Sequence, residues 1–254
     1  MSINFTSCRW SAAFMAMIFA WILCLESLFV FSAENAFGGD SPPVLMLDPG
    51  HGGSDTGAAA SSGLQEKSIV IAFARILKQR LEHRCRVLLT RDDDYELDLN
   101  RRAAMGNHEK ADLFISLHLG ASFLHTPRGT TIFFQDRKGL RDDRFQGSYP
   151  ADTEPVNMLP RWQDKSRQYK DKSRYFAELL QHRLNPTDGV RTVRIQGAPL
   201  FVLAGVDLPA VLVEIGFITN PADAAALEDT VALIRFADAI AQAVEDFFSD
   251  DLRL

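Results

Sequence analysis

The stretch LDPGHGG, at residues 47–53, presents one histidine in a turn that is rich in glycine. Gly50, Gly52 and Gly53 allow the backbone to turn sharply and to approach a ligand closely. The proline before them stiffens the entry to the turn. An apolar run, VLML, comes directly before this stretch. The pattern predicts that His51 follows a buried strand and presents its imidazole to a ligand such as a metal ion.

Two further residues would complete a metal site with His51. Glu66 stands at the start of a predicted helix, and His118 ends the apolar segment DLFISLH. Two imidazoles and one carboxylate are a recurrent ligand set for catalytic zinc, with the fourth tetrahedral position left to water. Each residue also has a simpler interpretation, because a carboxylate stabilises a helix N-terminus and a histidine at a strand end is often a hydrogen-bonded structural residue.

Glu214 is a carboxylate within an apolar segment, PAVLVEIGFITN. Burying a carboxylate is costly unless it has a partner. A nearby metal and its bound water would supply that partner, and a buried arginine is the alternative.

Apolar runs alternate with helical periods along the chain from residue 44. Short apolar runs predict strands at VLMLD, RVLLTR, DLFISLH, GTTIFFQ, APLFVL and PAVLVEIGF. Helical spacing predicts helices that begin near LQEKS, LDLNR, DKSRY, PADAA and TVALI. The alternation predicts an α/β fold, a single domain with a central, mainly parallel, twisted sheet flanked by helices. Ligands of such sheets bind at the carboxyl ends of strands, where His51, His118 and Glu214 are expected.

Composition excludes some classes of protein. The 254 residues are 46% hydrophobic and 24% charged, which is ordinary for a globular protein. The net charge of −6 and the lack of a basic stripe argue against nucleic acid as a partner. Cys8 and Cys24 lie near the N-terminus, so Cys85 stands alone in the rest of the chain and forms no internal disulfide there. We expect Cys85 to be a small buried residue of a strand.

The N-terminal residues differ from the rest of the chain. Arg9 precedes the apolar stretch SAAFMAMIFAWILCL, and small residues follow it. This order is typical of a secretory signal peptide, so we predict a signal peptide at residues 1–38, a short linker at 39–43 and no stable membrane span after cleavage. The alternative is an uncleaved anchor, because including the LFVF after Glu26 brings the stretch near the roughly 20 residues that a span needs.

The segment at about residues 136–172 contains prolines, glycines and many charges but no sustained apolar period. We predict that it is an irregular surface insertion within a catalytic domain at residues 44–250. Long irregular loops in compact domains are often functional, and this one leaves the predicted sheet near the predicted site.

The chain resembles the zinc-dependent N-acetylmuramoyl-L-alanine amidases of the amidase-3 family in five ordered segments, LDPGHGG, GLQEKSIVIAFARILKQRLE, VLLTRDDD, LNRRAAMGNHEKADLFISLH and LPAVLVEIGFITNP. The resemblance implies that His51, Glu66 and His118 bind Zn²⁺ and that Glu214 is the catalytic carboxylate. It also implies the reaction, hydrolysis of the amide between N-acetylmuramic acid and L-alanine in peptidoglycan. Such an enzyme acts in cell-wall remodelling, daughter-cell separation or recycling, in the periplasm or cell envelope of a bacterium.

The resemblance is incomplete after the second histidine. The family usually has a small residue and then Asn or Asp there, whereas this chain has Leu119 and Gly120. This departure puts in doubt a side-chain contact to the substrate or to one of the metal ligands. It does not affect His118 as a ligand.

An envelope activator protein is a further partner that the resemblance admits. In some relatives an inserted helix covers the zinc until an activator removes it. Here the segment SYPADTEPVNMLPRW is interrupted by prolines, which disfavour a long helix across it. We therefore expect the insertion to form a wall of the substrate groove and the enzyme to be active without a partner.

Two other functions stay open from the residues. The first is a zinc peptidase or deacetylase that acts on another cell-wall amide. The second is a non-catalytic wall-binding protein, which the presence of all four active positions disfavours.

Overall fold

Six strands form one sheet, and helices flank it. The computed structural model describes residues 41–136, 159–185 and 192–251, so the predicted signal peptide at 1–38 lies outside the described residues. The strands are β1 (Val44–Pro49), β2 (Arg86–Leu89), β3 (Leu113–Gly120), β4 (Thr130–Gln135), β5 (Val193–Ala198) and β6 (Ala210–Phe217). The helices are α1 (Glu66–Leu81), α2 (Leu99–His108), α3 (Leu159–Leu184), α4 (Pro221–Glu228) and α5 (Thr230–Asp251).

The order of strands in the sheet is β2-β1-β3-β6-β4-β5. Strands β2, β1, β3 and β6 are parallel to one another, whereas β4 is antiparallel to β6 and parallel to β5. The predicted α/β fold with a mainly parallel sheet is therefore confirmed. The carboxyl ends of β1, β3 and β6 meet at one edge of the sheet, together with the start of β4.

The two faces of the sheet bury different cores. Side chains alternate between the faces along each strand. The larger core packs the sheet against α1, α3 and α5 and includes Leu47, Ile115, Val213, Phe73, Phe176 and Ile240. The smaller core includes Met46, Phe114, Leu212, Val202 and Leu203. Because Phe114 and Leu212 face the smaller core, the even-numbered residues of β3 and β6, including His118 and Glu214, project to that same face.

Hydrogen-bonding side chains mark the starts of two helices. Asp98 precedes α2 and accepts a hydrogen bond from the backbone N–H of Arg101 at 3.0 Å. Asn220 precedes α4 and accepts one from the N–H of Ala222 at 3.0 Å. Such caps satisfy amide groups that have no partner within the helix.

The position of β5 shows that one sequence-based prediction is wrong. The sequence predicted a strand at APLFVL, but β5 ends at Ala198, and Phe201–Leu203 form a 3-10 helix. The strand consists of VRIQGA, in which half-buried Val193 and Ile195 alternate with exposed Arg194 and Gln196. This alternation is typical of an edge strand with one buried face, and it was a weaker apolar signal than the run that follows it.

The length of helix α3 differs from a second sequence-based prediction. The residues from 159 to 172 are helical, so the prediction of an irregular insertion up to 172 is wrong for that part; residues 137–158 lie outside the described chain. Pro160 lies in the first turn, where a proline does not break a helix. The N–H of Ala210, at the amino end of β6, donates to Ser173 Oγ at 2.9 Å. Lys170 pairs with Asp136, which follows the end of β4 beside the amino end of β6. Residues 170–173 and the point where the insertion leaves the sheet therefore lie opposite to the carboxyl end of β6, so the prediction that the insertion leaves the sheet near the site is wrong.

The residues from Pro43 onward form one unit by their contacts, Pro43–Leu254. Within the described parts of the chain, no helix has the length and apolar character needed to cross a membrane.

Candidate metal centre

His51 lies in the turn directly after β1, with a left-handed backbone conformation (φ 60°). The N–H of Gly50 donates to the carbonyl of Leu117 at 3.0 Å, which joins this turn to the end of β3. A Cβ atom on Gly50 would lie 2.3 Å from Cε1 of His118. Only glycine therefore allows the turn to approach His118 this closely.

Three residues from separate elements converge here. His51 follows β1, Glu66 is the first residue of α1, and His118 lies near the end of β3. His51 Nε2 lies 3.1 Å and His118 Nδ1 3.0 Å from Oε1 of Glu66. One ligand atom from each residue lies within 4.8 Å of the others, an arrangement that could hold a metal ion. The structure thus brings together the three residues that the sequence proposed as ligands.

Glu66 is buried, with 3% of its side chain exposed, and both of its carboxylate oxygens accept backbone hydrogen bonds. The N–H of Leu119 donates to Oε1 at 2.8 Å, and the N–H of Ala58 donates to Oε2 at 2.9 Å. Burial by itself raises the pKa of Glu66, but hydrogen bonds from His118 and His51 outweigh it and hold this pKa well below its ordinary value. The carboxylate is therefore ionised, as a metal ligand must be.

The two imidazoles are held by carboxylates. The hydrogen bond to Glu66 raises the pKa of His51, although burial opposes this change. Asp55 Oδ2 lies 2.8 Å from Nδ1 of His51 and so fixes the ring with Nε2 directed toward Glu66. Histidines that bind metals commonly donate their other N–H to a carboxylate in this way. Asp55 was not predicted from the sequence, because its position four residues after His51 in an exposed turn gave no distinctive signal.

Glu214 lies beside His118 in the sheet. The two residues are register partners on β6 and β3, and Thr131 of β4 is the partner of Glu214 on its other side. Glu214 is half-buried, and burial raises the pKa of its carboxyl. In the described parts of the chain no hydrogen bond or ion pair to its carboxylate is found. The charge of Arg194 lowers the pKa of Glu214, but Arg194 is an exposed residue of β5, so a buried arginine partner is not found there. A carboxyl with this pKa shift beside a metal site is suited to proton transfer.

A buried arginine, Arg102, does pair with a carboxylate, but that carboxylate is Asp48 and not Glu214. Arg102 Nη1 lies 2.8 Å from Oδ1 of Asp48, with 4% and 0% of the two side chains exposed. The hydroxyls of Thr90 and Ser116 also donate to Asp48, at 2.7 and 2.8 Å. Arg91, also buried, donates to backbone carbonyls of the turn that carries His51. These buried polar residues were not predicted from the sequence, because no spacing in the chain indicates which carbonyls an arginine reaches.

The departure at Leu119 and Gly120 leaves the contacts of the candidate ligands in place. The side chain of Leu119 is buried in the larger core, and its backbone N–H reaches Glu66. A Cβ on Gly120 would lie 2.9 Å from the ring of Phe217. The backbone N–H of Leu119 therefore donates to the candidate ligand Glu66, while the Leu119 side chain packs on the opposite face of the sheet.

Comparison with known proteins identifies the family. A family model described as N-acetylmuramoyl-L-alanine amidase matches residues 45–246. Among curated relatives, the N-acetylmuramoyl-L-alanine amidase AmiC of Neisseria meningitidis serogroup B is 31% identical over 221 residues, which are 82% of this chain and 53% of the relative. AmiC of Escherichia coli O6:H1 is 29% identical over 233 residues, 85% of this chain and 55% of the relative. The chain thus spans about half the length of these two relatives.

Solved structures show the same fold. The catalytic domain of CwlV, an N-acetylmuramoyl-L-alanine amidase from Bacillus (Paenibacillus) polymyxa var. colistinus, matches with a TM-score of 0.65 and 25% identity, over 81% of this chain and 98% of that one. The amidase AmiC2 of Nostoc punctiforme matches with a TM-score of 0.65 and 23% identity, over 83% and 99%. Because the family model matches residues 45–246, most of this sequence, the chain belongs to the N-acetylmuramoyl-L-alanine amidase family.

Proposed function

We propose that this protein is a zinc-dependent N-acetylmuramoyl-L-alanine amidase, which hydrolyses the amide between the lactyl group of N-acetylmuramic acid and the L-alanine of the peptidoglycan stem peptide. The observation that carries the proposal is the convergence of His51, Glu66 and His118 within a chain whose family match covers residues 45–246. The role in the cell is cell-wall remodelling, daughter-cell separation or recycling.

The donor set supports zinc as the metal. Two imidazoles and one carboxylate are a common protein ligand set of catalytic zinc and leave a fourth position for water. The ionised state of Glu66 and the hydrogen bond from His51 to Asp55 fit this use. Bound zinc lowers the pKa of its water to about 7 and polarises a carbonyl oxygen, and this is the chemistry that it would supply here.

Glu214 is the proposed general base and acid. Its carboxylate accepts a proton from the attacking water as the water oxygen bonds to the lactyl carbonyl carbon. When the carbon–nitrogen bond breaks, the same carboxyl returns that proton to the leaving amino group of L-alanine. Support for this role comes from the position of Glu214 beside His118, from its freedom from ion pairs among the described residues and from the pKa that burial raises.

Location and partners follow from this function. Because the substrate is peptidoglycan, we propose export to the periplasm or cell envelope by the signal peptide predicted at residues 1–38. An envelope activator is not required in this proposal. Helix α3 has hydrogen bonds or ion pairs to Ala210 and Asp136, at the sheet edge opposite to the candidate centre. Purified protein that stays inactive until residues 137–158 are deleted would contradict basal activity.

Digestion of purified peptidoglycan tests the proposal. The amidase reaction yields stem peptides with a free L-alanine amino group and glycan strands with a free lactyl carboxylate, and mass spectrometry identifies both. A deacetylase would release acetate, and a peptidase would cut within the stem peptide. A wall-binding protein would give no soluble product. The His118→Ala variant is the inactive control, because it lacks a proposed ligand.

A further inference from the structure

Two buried arginines hold the backbone of the turn that carries His51. Arg91 donates from Nε to the carbonyl of Pro49 at 2.9 Å and from Nη2 to the carbonyl of Gly50 at 2.7 Å. Arg102 donates from Nη1 to the carbonyl of Pro49 and from Nη2 to the carbonyl of His51, both at 2.7 Å. Three consecutive carbonyls are therefore fixed by two guanidinium groups, which we call the arginine clamp.

The remaining donors of the clamp are anchored elsewhere in the fold. Arg91 also donates to the carbonyls of Asp93 and Lys67, at 3.0 and 3.1 Å. Arg102 also donates to the carbonyl of Leu97 at 3.0 Å and forms its ion pair with Asp48. Arg91 and Arg102 are 1% and 3% exposed. Hydrogen bonds to other parts of the fold thus fix the position of both guanidinium groups, and these groups in turn fix the position of the turn.

The turn needs this support because its backbone is unusual. His51 has φ 60°, a left-handed conformation that is uncommon for a residue other than glycine. Such conformations persist only where the surroundings enforce them. The carbonyls of residues 49–51 face the two guanidinium groups, which hold the backbone in the conformation from which Nε2 of His51 lies 3.1 Å from Oε1 of Glu66.

We infer that Arg91 and Arg102 are positioning residues for the metal centre, which set the metal affinity through the backbone of residues 49–51. This inference rests on the proposed metal site. It does not depend on attraction between charges, because a guanidinium repels a metal cation. If charge dominated, removing an arginine would strengthen metal binding. If position dominates, the same change weakens it.

Lysine variants test the clamp while they keep the charge. In Arg91→Lys and Arg102→Lys, the single ammonium group cannot donate to two carbonyls at once in the way that the planar guanidinium does. We expect zinc dissociation constants, measured by competition with a chelating dye, to rise about tenfold or more, the range seen when groups that orient metal ligands are changed. The Co²⁺-loaded variants should show an altered visible absorption spectrum.

A variant with a defect elsewhere separates positioning from general destabilisation. Ile240→Ala opens a cavity under α5, at a side chain that is fully buried in the larger core. We expect it to lower the melting temperature while its zinc affinity stays at the wild-type value. Equal loss of zinc affinity in Ile240→Ala and in the lysine variants would overturn the inference, because stability alone would then explain it.

Hydrogen exchange of the metal-free protein gives a readout that needs no metal. The N–H groups of Gly50, Gly52 and Gly53 donate to Leu117, Asp55 and Asp94, at 3.0, 2.9 and 2.7 Å. Loosening the clamp should speed exchange in the peptide that covers residues 47–57 for the lysine variants, but not for Ile240→Ala. Unchanged exchange together with unchanged zinc affinity would overturn the inference alone. A wild-type protein that bound no zinc would instead overturn the proposed metal centre.

Discussion

His118 and Glu214 are paired positions on the neighbouring parallel strands β3 and β6, and their side chains project to the same face of the sheet. His118 contacts Glu66, whereas the side-chain carboxylate of Glu214 has no hydrogen bond or ion pair within the described chain. One strand therefore presents a candidate ligand and the next presents a free carboxyl beside it. The proposed separation of metal binding from proton transfer leads to predictions that treat the two functions separately.

Metal content tests the ligand set. We expect about one zinc ion per chain in the wild-type protein and a large loss in His51→Ala and His118→Ala, because each variant leaves two protein ligands. Elemental analysis after dialysis measures this. His83→Ala is the matched control, since His83 is an exposed histidine outside the cluster. Full zinc occupancy in both ligand variants would show that the metal binds elsewhere or not through these residues.

Asp55 provides a test of how His51 is oriented. In Asp55→Asn the amide offers either an oxygen or an NH₂ group to Nδ1 of His51 and no longer carries the charge that favours one ring orientation. We expect zinc affinity to fall about 10- to 100-fold with little change in melting temperature, because the carboxylate is more than half exposed. Chelator competition measures the affinity. Asp98→Asn, at an exposed helix cap, is the control.

Cys85 should be unreactive in the folded protein. Its side chain is 3% exposed and belongs to the larger core, and burial raises the pKa of the thiol to about 12. Only the thiolate reacts quickly with alkylating reagents, so iodoacetamide at pH 8 should label Cys85 slowly until denaturant is added. Mass spectrometry of the peptide that contains Cys85 separates it from other thiols. Rapid labelling without denaturant would contradict its burial.

Much of the sheet was predictable, and the reasons are local. Strands such as β1 and β3 are short apolar runs next to glycine or histidine, and α1 has apolar residues at helical spacing. Because carboxyl ends of parallel strands share an edge, the meeting of His51, His118 and Glu214 at that edge followed from the fold class. The reversed direction of β4 did not follow, since an apolar run does not specify the direction in which it pairs.

The groups that hold the candidate ligands were not predictable. Asp55 acts on His51 through a turn whose positive φ appears only in three dimensions. Arg91 and Arg102 act on backbone carbonyls about 40 and 50 residues away in sequence. A carbonyl has no residue type, so no motif records it as a partner. Side-chain ligands therefore leave a pattern in a sequence, whereas the contacts that orient them through the backbone leave little.

Glu214 distinguishes catalysis from metal binding. The Glu214→Gln substitution keeps the size and shape of the side chain, but an amide does not accept a proton as a carboxylate does. Positioned acid–base groups contribute about 10²- to 10⁴-fold in rate, so cleavage of muropeptides should fall by that factor, while zinc content and melting temperature stay near the wild-type values. Removing a carboxyl that burial destabilises in its charged form should not weaken the fold.

The pH dependence gives the same residue a second readout. Burial raises the pKa of Glu214, and the base is active only as the carboxylate. As pH falls, kcat/KM of the wild-type enzyme should therefore drop at a pH above the ordinary range of a glutamate. In Glu214→Gln this acidic limb should disappear from the small remaining activity. A zinc-loaded, stable Glu214→Gln variant that cleaves at the wild-type rate with the same acidic limb would assign the proton transfer to another group. Its loss of activity with zinc retained would place the transfer at Glu214.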